Sequence, residues 1–201
     1  VIPSPIWHLF CLFLEGLSFR NRPMEKNEYI TMHQLETTHW WFVGKRFLVT
    51  ATLDRCLAPS SIRHPILDIG CGTGIIMDAM GSHGQVYGLD ASPDAIRLSK
   101  QRGVHRIARS DAGAGLPFRN EAFDAVTCLD VLEHLDDDRN LIEEIFRVLK
   151  PGGYVIITVP AFQIQWSRHD VAVHHKRRYT KQMILDRVTG YPWQIHKASY
   201  F

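Results

Sequence analysis

No apolar run in this 201-residue chain is long enough to span a bilayer, and no two of its four cysteines form a C-x-x-C pair. Cys11, Cys56, Cys71 and Cys128 lie scattered, which argues against a disulfide framework and reads as reduced thiols in a cytoplasmic protein. Cys71 as a nucleophile is disfavoured, because no histidine follows it at a motif-like position. A surplus of one charge is missing too. The formal net charge is +2 with no extended basic stripe, and no N-P-P-Y-type run exists to hold an extruded base, so no nucleic-acid partner is expected. Internal repeats and low-complexity tracts are absent. The chain has 45% apolar and 22% charged residues, enough for one domain with a real core. Residues 1–23 stay unassigned, as a docked segment or an upstream extension. Their run Ile6–Leu14 is short and lacks a cationic head, so membrane association is not expected.

From Met24 to about Leu57 the pattern is helical, and residues 24–60 read as a helical lid or N-terminal extension. After Pro59-Ser60-Ser61 the texture changes, and 61–201 read as the ligand-binding domain. Short apolar runs there predict strands at Ile66–Ile69, Gln85–Leu89, Arg106–Arg109, Ala125–Cys128 and Tyr154–Val159. Between them, Ser92-Pro93-Asp94 starts a helix that Gly103 closes. "DDDRNLIEEIFRVLKPGG" starts another on acids, with Leu141, Ile142, Ile145, Val148 and Leu149 on one face. Thr180 caps a third helix running through Val188. This alternation predicts an α/β fold, a Rossmann-like doubly wound, mostly parallel sheet.

"ILDIGCGTG" (Ile66–Gly74) is a strand entering a glycine turn, where a ligand lies in such a sheet. Gly70, Gly72 and Gly74 let the backbone approach a ligand closely, and Asp90, after the next strand, can accept both hydroxyls of a ribose. The spacing is G-x-G-x-G, not the pyrophosphate fingerprint, and no Walker lysine follows. Asp68 stands immediately before the turn, where it would repel a pyrophosphate and welcome a cationic ligand. A nucleoside bearing an ammonium and a sulfonium, S-adenosylmethionine, has those signs.

At this point the sequence resembles the class I S-adenosylmethionine-dependent methyltransferases, and "LDIGCGTG" is similar to their first motif. "VYGLDAS" resembles the ribose-binding acidic motif, carried by Asp90 with Ala91. "ARSDAGAGLPF" resembles the adenine segment, with Asp111 and Ala112. "FDAVTCLDVLEHL" resembles the fourth-strand motif, with Leu129 and Asp130, and "LKPGGYVIITVP" the fifth. The resemblance implies that Asp68, Gly70, Cys71, Gly72 and Gly74 border the cofactor with these residues. Taken singly, Asp111 reads equally as a turn cap and Asp90 as a solvated strand end.

Methyl transfer from a sulfonium needs alignment and exclusion of water, with a general base only for a hydroxyl or ammonium acceptor. His134 is the candidate base, against a plain packing role. The resemblance also leaves open a divalent metal on Asp130, Glu133 and His134, although Asp130 is one methylene shorter than the related E-x-x-E-H pattern. Two regions are candidates for the acceptor. "THWWFVGKR" (Thr38–Arg46) offers Trp41 in an aromatic wall or an ordinary packed helix. "WSRHDVAVHHKRRYT" (Trp166–Thr180) offers His174, Arg177 and Arg178 for an acceptor phosphate or carboxylate, or else a solvated basic loop. The histidines and Asp170 there match no standard zinc spacing. A small molecule, anionic in this reading, is the expected acceptor.

The family's sheet has seven strands. "WQIHKASYF" reads as the sixth, the hairpin partner is missing, and the protein is expected to continue past Phe201. A cofactor-binding regulatory subunit and an aminopropyl transferase are the alternatives, with a nicotinamide dehydrogenase more distant.

Overall fold

The computed structural model describes residues 26–57 and 63–200; the expectations for residues 1–23, Cys11 and Pro59–Ser61 lie outside the described residues. Five strands form one parallel sheet: β1 (His64–Ile69), β2 (Gly84–Asp90), β3 (Ile107–Arg109), β4 (Phe123–Leu129) and β5 (Leu149–Thr158), in the order β3-β2-β1-β4-β5. All five predicted strands are present, most extended by a residue or two. β5 starts five residues earlier than predicted, because Leu149 pairs with Phe123 before a register shift next to Ala125. Strand order reverses between β1 and β4, the point where open α/β sheets bind ligands.

Alternation along β1 explains the two layers. Leu67 and Ile69 face a core shared with Val126, Cys128 and the inner stripe Leu141, Ile142, Ile145 and Val148 of α5 (Asp138–Val148). Ile66 faces the other way, toward Val49 and Leu53 of α2 (Trp40–Cys56) and Met77 and Met80 of α3 (Ile75–Met80). Ser92 caps α4 (Pro93–Gln101) by accepting from Ala95 N, and Thr180 caps α7 (Lys181–Val188) by accepting from Met183 N. On α5 the capping residue is Asp137, which accepts from the Arg139 and Asn140 N–H groups.

The helical pattern expected from Met24 to about Leu57 is present from Lys26 as two helices, whereas the expected sixth strand is corrected. The pattern breaks between α1 (Lys26–Leu35) and α2, where Glu36 turns inward to full burial and His39 caps α2. The "WQIHKASYF" segment forms no strand. Its aromatics are captured elsewhere: Trp193 packs edge-on against Phe146 of α5, and Tyr200 stacks on Phe162 while its hydroxyl accepts from Lys181 N. A strand pattern forms a strand only where an edge takes it before other packing does. No helix among the described residues is long and apolar enough to cross a membrane.

Candidate functional site

The loop after β1 is built from positive-φ glycines: Gly70 (+71°), Gly72 (+53°) and Gly74 (+81°). A Cβ on Gly70 would stand 2.4 Å from Val131 Cγ2, and one on Gly74 would stand 2.9 Å from Ser99 Oγ, so the turn is closed to side chains on geometric as well as conformational grounds. Gly88, which the sequence reading did not single out, serves the same loop. A Cβ there would meet Met77 Sδ at 2.4 Å and Cys71 Sγ at 2.9 Å.

Asp90 ends β2 and reaches back to the turn, accepting from Gly72 N (2.8 Å) and Ser92 N (2.8 Å). Burial nevertheless holds its carboxyl above the ordinary range, against the pull of those two N–H bonds. Asp68 lies beneath the turn and accepts from Thr127 Oγ1 at 2.6 Å. Its pKa is pushed up to about 7 by burial, with Asp90 adding repulsion and the Thr127 bond opposing. Cys71 is buried, and burial followed by the charges of Asp68 and Asp90 pushes its thiol up, which removes it as a nucleophile.

From this turn a cleft of about 2530 Å³ runs past the end of β4 and along the whole length of β5, with α7 and residues 191–200 also lining it. Gly70, Gly72, Asp90 and Ala91 line it near the turn, and Asp111 and Ala112 line the rim. Asp111 is exposed and caps a short 3₁₀ turn by accepting from Gly113 N through one carboxylate oxygen (2.9 Å). Asp68, Cys71 and Gly74 stand behind this lining rather than in it.

On the far side, Leu129 and Asp130 end β4. Asp130 has φ +55°, a left-handed conformation rare for a non-glycine residue. It is held by the Lys45 ammonium and by Thr158 Oγ1 (2.8 Å). Burial alone would raise its pKa, but the Lys45 charge and these bonds outweigh it and lower the carboxyl. Lys45 lies on the buried i, i+4 stripe of α2 with Val49 and Leu53, its ammonium 5.3 Å from the Trp41 ring centre. A lysine in that stripe was the signal, present in the sequence, for a buried partner. The N-terminal helical segment is also tied to the glycine turn: Thr73 Oγ1 and Arg102 both donate to Glu36.

Glu133 and His134 follow in a 3₁₀ turn (Leu132–His134). Glu133 is fully buried, and neither oxygen has a hydrogen-bond partner among the described residues. Burial first, then Asp130's charge, pushes its pKa well above the usual carboxylate range; its own backbone N–H and Lys45 offset only part. His134 is lowered to about 4 by burial and then by His175, against the pull of Asp130 and a hydrogen bond with the His174 backbone. A neutral imidazole this weak is a poor general base for a hydroxyl near neutral pH.

The segment after β5 is not a solvated loop. Asp170, fully buried in α6 (Arg168–Ala172), accepts from Arg178 Nε (2.7 Å) and Nη2 (2.9 Å), and pairs with His175 Nδ1 (2.9 Å). Arg178 lines the cleft with its charge already answered by Asp170. Arg177 does not line it: its guanidinium donates to Asp138 (3.1 Å) and to the Leu135 and Asp136 carbonyls (3.0 Å each), bracing the N-terminus of α5. Trp41 and His174 do line the cleft. The trio Asp130, Glu133 and His134 does not assemble as a ligand set. Asp130 is engaged by Lys45 and Thr158, and His175 comes in its place, with one donor atom each from Glu133, His134 and His175 within 4.8 Å of one another.

Comparison with known proteins places this geometry. Residues 67–157 match the family model described as a methyltransferase domain. The mitochondrial ubiquinone biosynthesis O-methyltransferase of Schizosaccharomyces pombe is 31% identical over 158 residues, covering 69% of this chain and 57% of that protein. The chain spans about half the length of the curated relatives it matches. An S-adenosylmethionine-dependent methyltransferase from Methanosarcina mazei is 28% identical with a TM-score of 0.50, covering 57% of this chain and 59% of that one. The phosphoethanolamine N-methyltransferase 2 of Haemonchus contortus, solved with S-adenosylhomocysteine, is 21% identical with a TM-score of 0.66 and covers 84% of this chain and 43% of its own; that likeness is one of fold.

Proposed function

We propose that the chain is a class I S-adenosylmethionine-dependent methyltransferase that transfers the sulfonium methyl group to an oxygen, nitrogen or carbon of a small-molecule acceptor, a reading supported by the methyltransferase-domain match over residues 67–157 and by the 31% identity to the Schizosaccharomyces pombe O-methyltransferase. The observation that carries this reading is the pair of carboxylates at the glycine turn. Asp90 is fixed by two backbone N–H groups beside the open backbone of Gly70 and Gly72, and Asp68 is buried beneath them. In this reading Asp90 takes the ribose hydroxyls, Asp111 and Ala112 border the adenine, and Asp68 supplies negative potential under the cationic end of the cofactor. Leu129 and Asp130 turn the methyl group toward the cleft.

The acceptor approaches along the ends of β4 and β5. The bond to carbon forms at the acceptor atom as the carbon–sulfur bond breaks; sulfur keeps the electron pair, and the acceptor's proton leaves to solvent. The chain's contribution is alignment and exclusion of water, for which the Glu36 tie between lid and turn is suited. The name of the yeast relative favours an oxygen acceptor over nitrogen. Arg178 recognises an anionic acceptor only if that acceptor competes with Asp170, and Arg177 is left with a bracing role. The free thiols of Cys56, Cys71 and Cys128 suit a reducing compartment such as the cytoplasm.

Calorimetry with S-adenosylmethionine, S-adenosylhomocysteine and NAD tests the cofactor assignment, with the first two expected to bind and NAD not. Incubation with labelled methyl donor and a panel of phenols, alcohols and amines then tests transfer by product mass. Cofactor binding without any labelled product would favour a regulatory subunit.

A further inference from the structure

The first helix has little core of its own. Among residues 29–39 the one fully buried side chain is Glu36, and residues 29–35 stay half-buried or exposed. An element without an apolar anchor opens at low cost unless polar contacts hold it. Here those contacts converge on Glu36. Thr73, between two glycines of the turn, donates its hydroxyl to one carboxylate oxygen, and Arg102, at the end of α4, donates to the other. Arg102 also donates to the Thr73 carbonyl (3.1 Å) and meets His33 Nδ1 (2.9 Å), which stands 3.1 Å from the same Glu36 oxygen. A second arginine, Arg46 of α2, donates to the Glu36 carbonyl (3.0 Å). One acid thus gathers α1, α2, α4 and the glycine turn.

The same face of the helix reaches the place where the turn would receive a ligand. Tyr29, Met32, His33 and Glu36 follow at i, i+3, i+4 and i+7. Tyr29 and Met32 line the cleft together with Gly70 and Gly72, and a Cβ on Gly72 would stand 3.6 Å from Met32 Cε. We propose that α1 is a gate over the cofactor end of the cleft, and that the Glu36 carboxylate, shared between Thr73 and Arg102, is its latch. Latched, α1 keeps Met32 against the turn and slows the ligand's exit. Unlatched, α1 moves off while the sheet stays folded. Glu36 is a positioning residue, acting through α1 rather than on the ligand. That the ligand is S-adenosylmethionine rests on the proposed function; the latching of α1 does not.

The test uses the full chain. Glu36→Gln keeps the side chain's shape but sets a neutral amide against Arg102, and Thr73→Val removes the hydroxyl while leaving the glycines in place. Hydrogen exchange on the ligand-free protein, followed by mass spectrometry, should show α1 amides exchanging at least about tenfold faster in Glu36→Gln, with β1 and β4 unchanged. Labelled S-adenosylmethionine, chased with unlabelled S-adenosylhomocysteine, should leave Glu36→Gln at least about tenfold faster and enter it no more slowly. A merely structural loss would instead slow entry or speed exchange throughout the sheet. Thr73→Val should shift both readouts in the same direction by less, and the double variant should go little beyond Glu36→Gln, because the two act through one contact. Exchange of α1 at the wild-type rate in Glu36→Gln overturns the latch. Unchanged release from a variant whose α1 exchanges faster overturns the gate. A wild type that binds no S-adenosylmethionine removes the cofactor reading and the gate with it, while exchange still decides the latch. Should Glu36→Gln unfold, as judged by circular dichroism, Thr73→Val decides.

Discussion

On the wall proposed for the cofactor, Asp90 accepts two backbone N–H groups and Asp68 a threonine hydroxyl, whereas on the wall proposed for the acceptor Glu133, at least as deeply buried, accepts nothing from the described residues. The first wall is finished by the chain's own bonds. Its carboxylates stand where they are needed before a ligand arrives, and this kind of preorganisation makes electrostatic recognition cheap at the moment of binding. The second wall keeps bonding capacity in reserve. A buried acid and two imidazoles stand close, with His175 held by Asp170 and Arg178, without being satisfied by one another. The contrast teaches that burial by itself does not mark a functional group; the count of bonds a buried group leaves unmade does.

The largest expected effect tests how rigid the cofactor wall is. Gly70→Val puts a branched side chain at φ +71°, into a position where even its Cβ would lie 2.4 Å from Val131. Left-handed strain of about 1–3 kcal/mol adds to the clash, and S-adenosylmethionine affinity should fall at least about a hundredfold by calorimetry. Affinity within a few-fold of the wild type would mean that the turn adapts and the wall is not preorganised.

That turn was also the part most legible in the sequence, for a physical reason. Asp68, Gly70, Gly72 and Gly74 lie within seven residues of one another, so their spacing carries the geometry. The caps at Ser92 and Thr180 and the buried stripe of α5 were legible likewise, being local or periodic signals. What escaped was long-range. Nothing near Asp130 foretells that Lys45, 85 residues away, answers its charge, and nothing near Glu133 foretells His175. Arg177 read as a ligand because arginine is a common anion binder; whether it meets a ligand or Asp138 is decided by how α5 packs. The C-terminal aromatics read as a strand because β-propensity does not reveal that Phe146 and Phe162 capture them.

Lys45 ties α2 to the end of β4, and its removal gives the second effect. Lys45→Met keeps the stem but leaves the Asp130 carboxylate without its cation. Breaking fully buried pairs costs about 3–5 kcal/mol, and because Asp130 keeps 33% of its side chain exposed the expected loss is about 1–3 kcal/mol in urea unfolding. S-adenosylmethionine affinity should stay within a few-fold of the wild type; a destabilised protein that also loses cofactor affinity would show that the walls are one unit, against the contrast drawn above.

The smallest effect concerns the pH at which the finished wall takes its charge. Asp68 titrates at about 7 in the free protein, so at pH 6 it is mostly protonated and a cationic ligand must expel that proton on binding. If the complex holds Asp68 ionised, affinity should rise about fivefold from pH 6 to 7, a window below the titration of the ligand's own amino group at about 7.7–8.0. Asp68→Asn should flatten the dependence, and S-adenosylhomocysteine, which lacks the sulfonium charge, should show less of it. The free fold runs the other way. A folded-state pKa raised from 3.8 to about 7 means the native state prefers the neutral acid, so its contribution to stability is complete below pH 3.8 and fades as pH rises through 7. Thermal melts should therefore lose stability from pH 6 to 7 without cofactor and change little at saturating cofactor, so the stabilisation by cofactor widens with pH, which a purely structural role for Asp68 would not produce.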